Sequence, residues 1–103
     1  MASRREKLEA MLEGSPADQM LRYMLALELE KEGEGGRSLQ LFSSLMNEAV
    51  PYVPAFLMAG QQLARLGRIE DAKVCYTDGI QHAQAQNNSH AAGEMSGFLA
   101  AIA

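Results

Sequence analysis

His82 and His90 are the side chains whose type best suits acid–base or metal chemistry, and they stand eight residues apart in a polar stretch. No cysteine or carboxylate completes a metal-ligand set with them, so both read as surface histidines. Cys75 precedes Tyr76 on an apolar helical pattern, with Lys73 as the one cation beside it in sequence. It reads as a small buried hydrophobe rather than an activated thiolate. Glu28, Glu30, Glu32 and Glu34 form an acidic run suited to a solvated helix end. Gly33-Glu34-Gly35-Gly36 lacks the Lys-Ser/Thr of a phosphate loop and follows a helix rather than a strand, so it is a turn. No catalytic residue, metal site or cofactor site is expected, and the chain is read as not an enzyme.

The elements that carry these residues are all helical. Leu8, Met11 and Leu12 give residues 3–13 one apolar stripe, and Gly14 ends it. Such a helix is too short to stand alone in water and must dock or fray. Ser15 is the expected cap of the next helix, with Pro16 in its first turn and Asp18 near its positive end. That helix runs to about Glu32, with Met20 to Leu29 apolar nearly all round, so it must be buried on several sides. The turn at 33–36, with three glycines, is expected to be looser than the one at Gly67-Arg68. Leu39, Leu41, Phe42, Leu45 and Met46 mark a helix over 36–48. Pro51 and Pro54 bracket the following link.

From Val53 the pattern sharpens. Pro54 suits a first helical turn, Phe56, Ala59, Gly60, Leu63 and Leu66 follow at helical spacing, and Gly67 suits a left-handed cap. A second helix starts at once with Ile69, Ala72, Cys75, Tyr76, Ile80 and Ala83, so the two must be antiparallel neighbours. Small Gly60 and Ala72 permit close approach. Asn87-Asn88 stops the second helix near Gln86, and Ser89 is the expected cap of a last one with Met95, Phe98, Leu99 and Ile102 on one stripe. No strand signal appears.

Composition bounds the function. Hydrophobic residues make up 48% of the 103, enough for a core in a single domain. A net charge of −4 argues against nucleic acid and anionic membrane surfaces as partners. One cysteine excludes an intramolecular disulfide and suggests a reducing, cytoplasmic setting. No apolar run reaches membrane-spanning length. Arg4, Arg5 and Lys7 are not followed by the apolar region of a secretory signal.

The set Phe56, Ala59-Gly60, Leu63, Gly67, Ala72, Tyr76 and Gly79-Ile80 resembles a tetratricopeptide repeat, whose period is 34 residues. Phe56 stands where Trp is usual, Leu63 where Tyr is usual, and Gln84 where a closing Pro is usual. Moving back 34 places Gly67 on Gly33, Tyr76 on Phe42, Leu63 on Leu29, Ile80 on Met46 and Ala72 on Ser38, without a gap. Phe56 falls on Arg22, a poor match. The expected architecture is an all-α single domain of about five helices. Antiparallel pairs stack as a short right-handed solenoid: an N-terminal helix (3–13), repeat 1 (19–52), repeat 2 (53–86) and a C-terminal capping helix (89–103).

The resemblance implies a concave groove lined by the first helix of each repeat, which holds a peptide or helix. The matching positions are Met20, Tyr23, Met24, Leu27 and Lys31 in the first repeat and Leu57, Met58, Gln61 and Arg65 in the second, with Pro54 at the rim. Members that grip a peptide carboxylate use Lys and Asn where this chain has Tyr23, Leu27, Leu57 and Gln61, so no carboxylate clamp is expected. Lys31 and Arg65 remain for an acidic group at one edge. The occupant could be the chain's own 3–13 helix, a second copy, or a foreign amphipathic helix or peptide. The reading is a protein-interaction adaptor or scaffold. The alternative is a structural module that forms a homodimer through its apolar helix faces.

Overall fold

A computed structural model describes residues 2–103. Six helices run through them: α1 (Arg4–Gly14), α2 (Gln19–Lys31), α3 (Gly35–Met46), α4 (Val53–Arg65), α5 (Ile69–Ala85) and α6 (Ser89–Ile102). The count is close to the expected five, and no strand occurs among the described residues. The chain divides into two compact units, residues 1–50 with α1–α3 and 51–103 with α4–α6.

In the first unit, α1 is held at its start by a capping box. The Ser3 hydroxyl accepts from the Glu6 N–H at 3.1 Å, and the Glu6 carboxylate accepts from the Ser3 N–H at 3.2 Å. Ser15 does not cap α2. Its N–H closes α1 on the Leu12 carbonyl at 3.1 Å, and Asp18 caps α2 by accepting from the Leu21 N–H at 2.9 Å. The first of two competing caps is used up ending the previous helix. α1 then packs along α2, with Leu8 buried against Leu25 and Leu29. Arg4 pairs with Glu28 at 3.2 Å and Arg5 with Glu32 at 2.8 Å across the same contact. The short helix is therefore docked, and part of the expected acidic run is its ion-pairing edge.

The α2–α3 and α4–α5 turns share one geometry. Gly33 has φ +81° and Gly67 φ +78°, a conformation that favours glycine. Behind them the Glu34 N–H reaches the Leu29 carbonyl at 2.8 Å and the Arg68 N–H reaches Leu63 at 2.9 Å, the hydrogen-bond pattern of a glycine C-cap. The first turn is no looser than the second, because Gly35 and Gly36 already belong to α3.

In the second unit α4 and α5 meet at Gly60. A Cβ there would overlap the Tyr76 ring. One turn on, a Cβ at Gly79 would stand 2.5 Å from Met95 Sδ and 2.6 Å from Phe56 Cβ. Both glycines are notches for large neighbours. α6 packs on α5 and also meets α4, with Met95 fully buried and Phe98 stacked on Tyr76 at 6.0 Å. Asn87, at φ 60°, turns the chain, and Asn88 rather than Ser89 caps α6 by accepting from the Ala91 N–H at 3.1 Å.

Positions 34 apart carry matching roles with different chemistry. In the second unit Phe56 stacks on His82 with centroids 5.4 Å apart. Counting back 34 from each gives Arg22 and Glu48, which form an ion pair; Arg22 also donates to the Ala17 carbonyl and the Ser44 hydroxyl at 3.2 Å. The poor match at Arg22 is half of a substituted pair.

The Gly60 notch yields a stability prediction. Gly60→Ala should destabilise by about 1–3 kcal/mol, because the Tyr76 ring must move. Gly97→Ala, whose Cβ meets nothing within 4 Å, should instead stabilise by about 0.5–1 kcal/mol. Urea unfolding of both variants measures the contrast.

Candidate functional site

Each unit carries its candidate residues on its first repeat helix, α2 or α4. On α4 the four-residue steps Val53, Leu57, Gln61 and Arg65 trace one stripe, with Pro54 and Met58 beside it. Leu57, Met58 and Gln61 are half-buried, while Pro54 and Arg65 are exposed. Leu57 does not lie on a flat face. With Val53 and Pro54 it forms one wall of a cleft of ≈ 190 Å³ whose other wall is Ala91 and Met95 of α6. Asn88, His90 and Glu94 form the polar rim, with His90 Nε2 3.4 Å from the Glu94 carboxylate. The α6 wall was not among the expected groove residues. Its signal was Ala91 one turn before Met95: a small residue that leaves room beside a large one.

The α2 set is distributed differently. Met20 is exposed (61%) and Lys31 is also exposed. Tyr23 lies edge-on to Phe42 of α3, with centroids 6.1 Å apart. Met24 leans on the Leu8–Leu25–Leu29 cluster beneath α1. Leu27 is half-buried. Within this unit α1 contacts the α2 side that carries Leu25 and Leu29, so part of the expected set is packed and part is open.

Chemistry at the remaining polar groups is limited. Among the described residues no group of three or more His, Cys, Asp or Glu side chains could hold a metal ion. His90 is exposed, but His82 is half-buried against Phe56 rather than a surface residue. Cys75 is half-buried, and burial pushes its thiol pKa up, helped by the charges of Asp78 and Asp71. No helix among the described residues is long and apolar enough to cross a membrane.

Paired helices with 34-residue spacing and an apolar cleft beside the first helix define a helical-repeat interaction fold. Solved structures agree. The chain is similar to a tetratricopeptide repeat domain protein from Salinibacter ruber. Against its solution structure the identity is 30% over 84% of this chain and 88% of that one, with a TM-score of 0.79. Against its crystal structure the identity is 29% over 82% and 94%, with a TM-score of 0.75. A solution structure of a protein from Bordetella parapertussis shares the fold at 22% identity, covering 99% of this chain and 89% of that one, with a TM-score of 0.81. No family model and no curated protein matches the chain. The chain belongs to the tetratricopeptide repeat family.

The Cys75 environment predicts slow alkylation. A raised pKa leaves less thiolate at any pH below it. At pH 8, iodoacetamide should modify the native chain more slowly than the urea-unfolded chain, and the gap should narrow as pH rises through the shifted value. Equal rates at pH 8 would show an accessible, unperturbed thiol.

Proposed function

We propose that this chain is a protein-interaction adaptor whose second unit holds an apolar side chain of a partner peptide or helix in the cleft between α4 and α6. The observation that carries this reading is Leu57. It is a half-buried leucine facing Ala91 and Met95 across an open apolar space, with polar groups only at the rim. Apolar walls with a few convergent polar groups are the usual form of a recognition site. Burying one Leu or Met side chain is worth about 1.5–3 kcal/mol, against about 8 kcal/mol for a micromolar contact. The cleft therefore supplies an anchor rather than the whole affinity. Met58, Gln61 and Arg65 continue the stripe for flanking contacts. In the first unit Met20, Leu27 and Lys31 offer a second exposed face, with Tyr23 and Met24 as its packed edge.

The residues at Tyr23, Leu27, Leu57 and Gln61 favour an apolar side chain over a terminal carboxylate. A cytoplasmic adaptor without catalysis is the setting this chemistry suits.

The test is selection of peptides on the wild-type chain from a displayed library, followed by affinity measurements on Leu57→Glu. The variant should keep its helicity and melting temperature and weaken the selected peptides by about thirtyfold or more, since it places an unpaired carboxylate against apolar walls. Unchanged affinity would place binding elsewhere. If the variant unfolds, Leu57 is core. Light scattering over a concentration series tests the homodimer reading, and a strict monomer removes it.

A further inference from the structure

A second cleft, in the first unit and separate from the α4–α6 site, has chemistry of its own. Leu12 of α1, Leu25 of α2 and Leu41 of α3 form its floor, with Pro16 at one end, in an open space of ≈ 430 Å³. Glu9 and Glu13, one turn apart on α1, form one wall. The charges there are unevenly matched. Glu9 pairs with Arg5 at 2.7 Å, and Arg22 is held by Glu48, Ala17 and Ser44. Glu13 makes no ion pair among the described residues. It also stands at the wrong end of its helix. α1 has an acidic first turn, closed by its capping box, but no basic residue in its last turn. A carboxylate beside the negative end of a helix dipole is unfavourable, and a cation there is favourable. The cleft thus combines an apolar floor with an uncompensated negative edge.

We propose that this cleft binds a basic amphipathic helix from a partner protein. A Leu or Met of the partner sits on Leu12, Leu25 and Leu41, and a Lys or Arg one turn away pairs with Glu13. Charge complementarity selects this occupant. An acidic or carboxylate-bearing segment would meet Glu9 and Glu13 directly, whereas a basic one supplies the cation that the last turn of α1 lacks. Binding at this place also reinforces a helix of only 11 residues, a length at which isolated helices are unstable in water.

The probe is a fluorescent Leu/Lys amphipathic peptide of about 15 residues, long enough to form a helix. It is titrated with the full chain near physiological salt, alongside a Leu/Glu peptide of the same pattern. The Leu/Lys peptide should bind saturably and the Leu/Glu peptide should not. Glu13→Lys should weaken binding by about tenfold while leaving the melting temperature equal or higher, because the new cation suits the end of α1. Glu70→Lys makes the same change in net charge on the exposed start of α5 and should bind as the wild type does, as should Leu57→Glu. Equal binding by Glu13→Lys overturns the proposal. So does equal loss in Glu70→Lys, which would mean general attraction to an acidic protein. Loss in Leu57→Glu would put the peptide in the α4–α6 cleft. Self-association of the chain that Glu13→Lys abolishes would make a second copy the occupant.

Discussion

The ring of Tyr76 fills the space that a side chain on Gly60 would need. Much of the second unit depends on that fit. It sets how closely α5 lies on α4, and it gives Phe98 of α6 a flat surface to stack on. Gly79 repeats the arrangement one turn later, where Met95 and Phe56 converge. With Met95 fixed there, α6 stands beside α4 and the Leu57 cleft acquires its second wall. The candidate binding feature is thus a consequence of two missing side chains.

The first unit meets the same need for close helix pairing with other means. At the position 34 residues before Gly60 stands Ala26, whose carbonyl accepts a hydrogen bond from the buried Ser38 hydroxyl at 2.8 Å. Where the second unit stacks Phe56 on His82, the first pairs Arg22 with Glu48. A partly buried ion pair needs both partners, since removing one strands a charge in a poorly solvated place. The aromatic stack has no such liability. The first unit also gains α1, whose Leu8 lies 34 residues before Phe42 and is buried as Phe42 is. That spacing makes α1 a further copy of the buried second-helix position.

Features written in one residue type at one place were legible in the sequence. Gly67 and Gly33 announced their turns, Pro54 its helix start, and Tyr76 and Phe42 their buried positions. Features that depend on competition or pairing were not. Ser15 looked like the cap of α2 by type, but closing α1 came first and Asp18 took the role. Asn88 displaced Ser89 in the same way. Arg22 looked like a break in the repeat because a shift of 34 compares single residues, whereas the structure compares pairs. The α6 wall of the cleft was hidden for a third reason. Its stripe read as a cap, and only the packing of Met95 against Gly79 shows which part of it faces Leu57.

The central claim is that the Leu57 cleft receives a partner's apolar side chain. The most direct measurement is methyl NMR on the full chain, with Leu and Met methyls labelled, during titration with a peptide selected on it. The account predicts shifts concentrated at Leu57 and Met95, with cross-relaxation from those methyls to one apolar side chain of the peptide. Shifts confined to Leu66, which is exposed, or to the methionines of the first unit would contradict it.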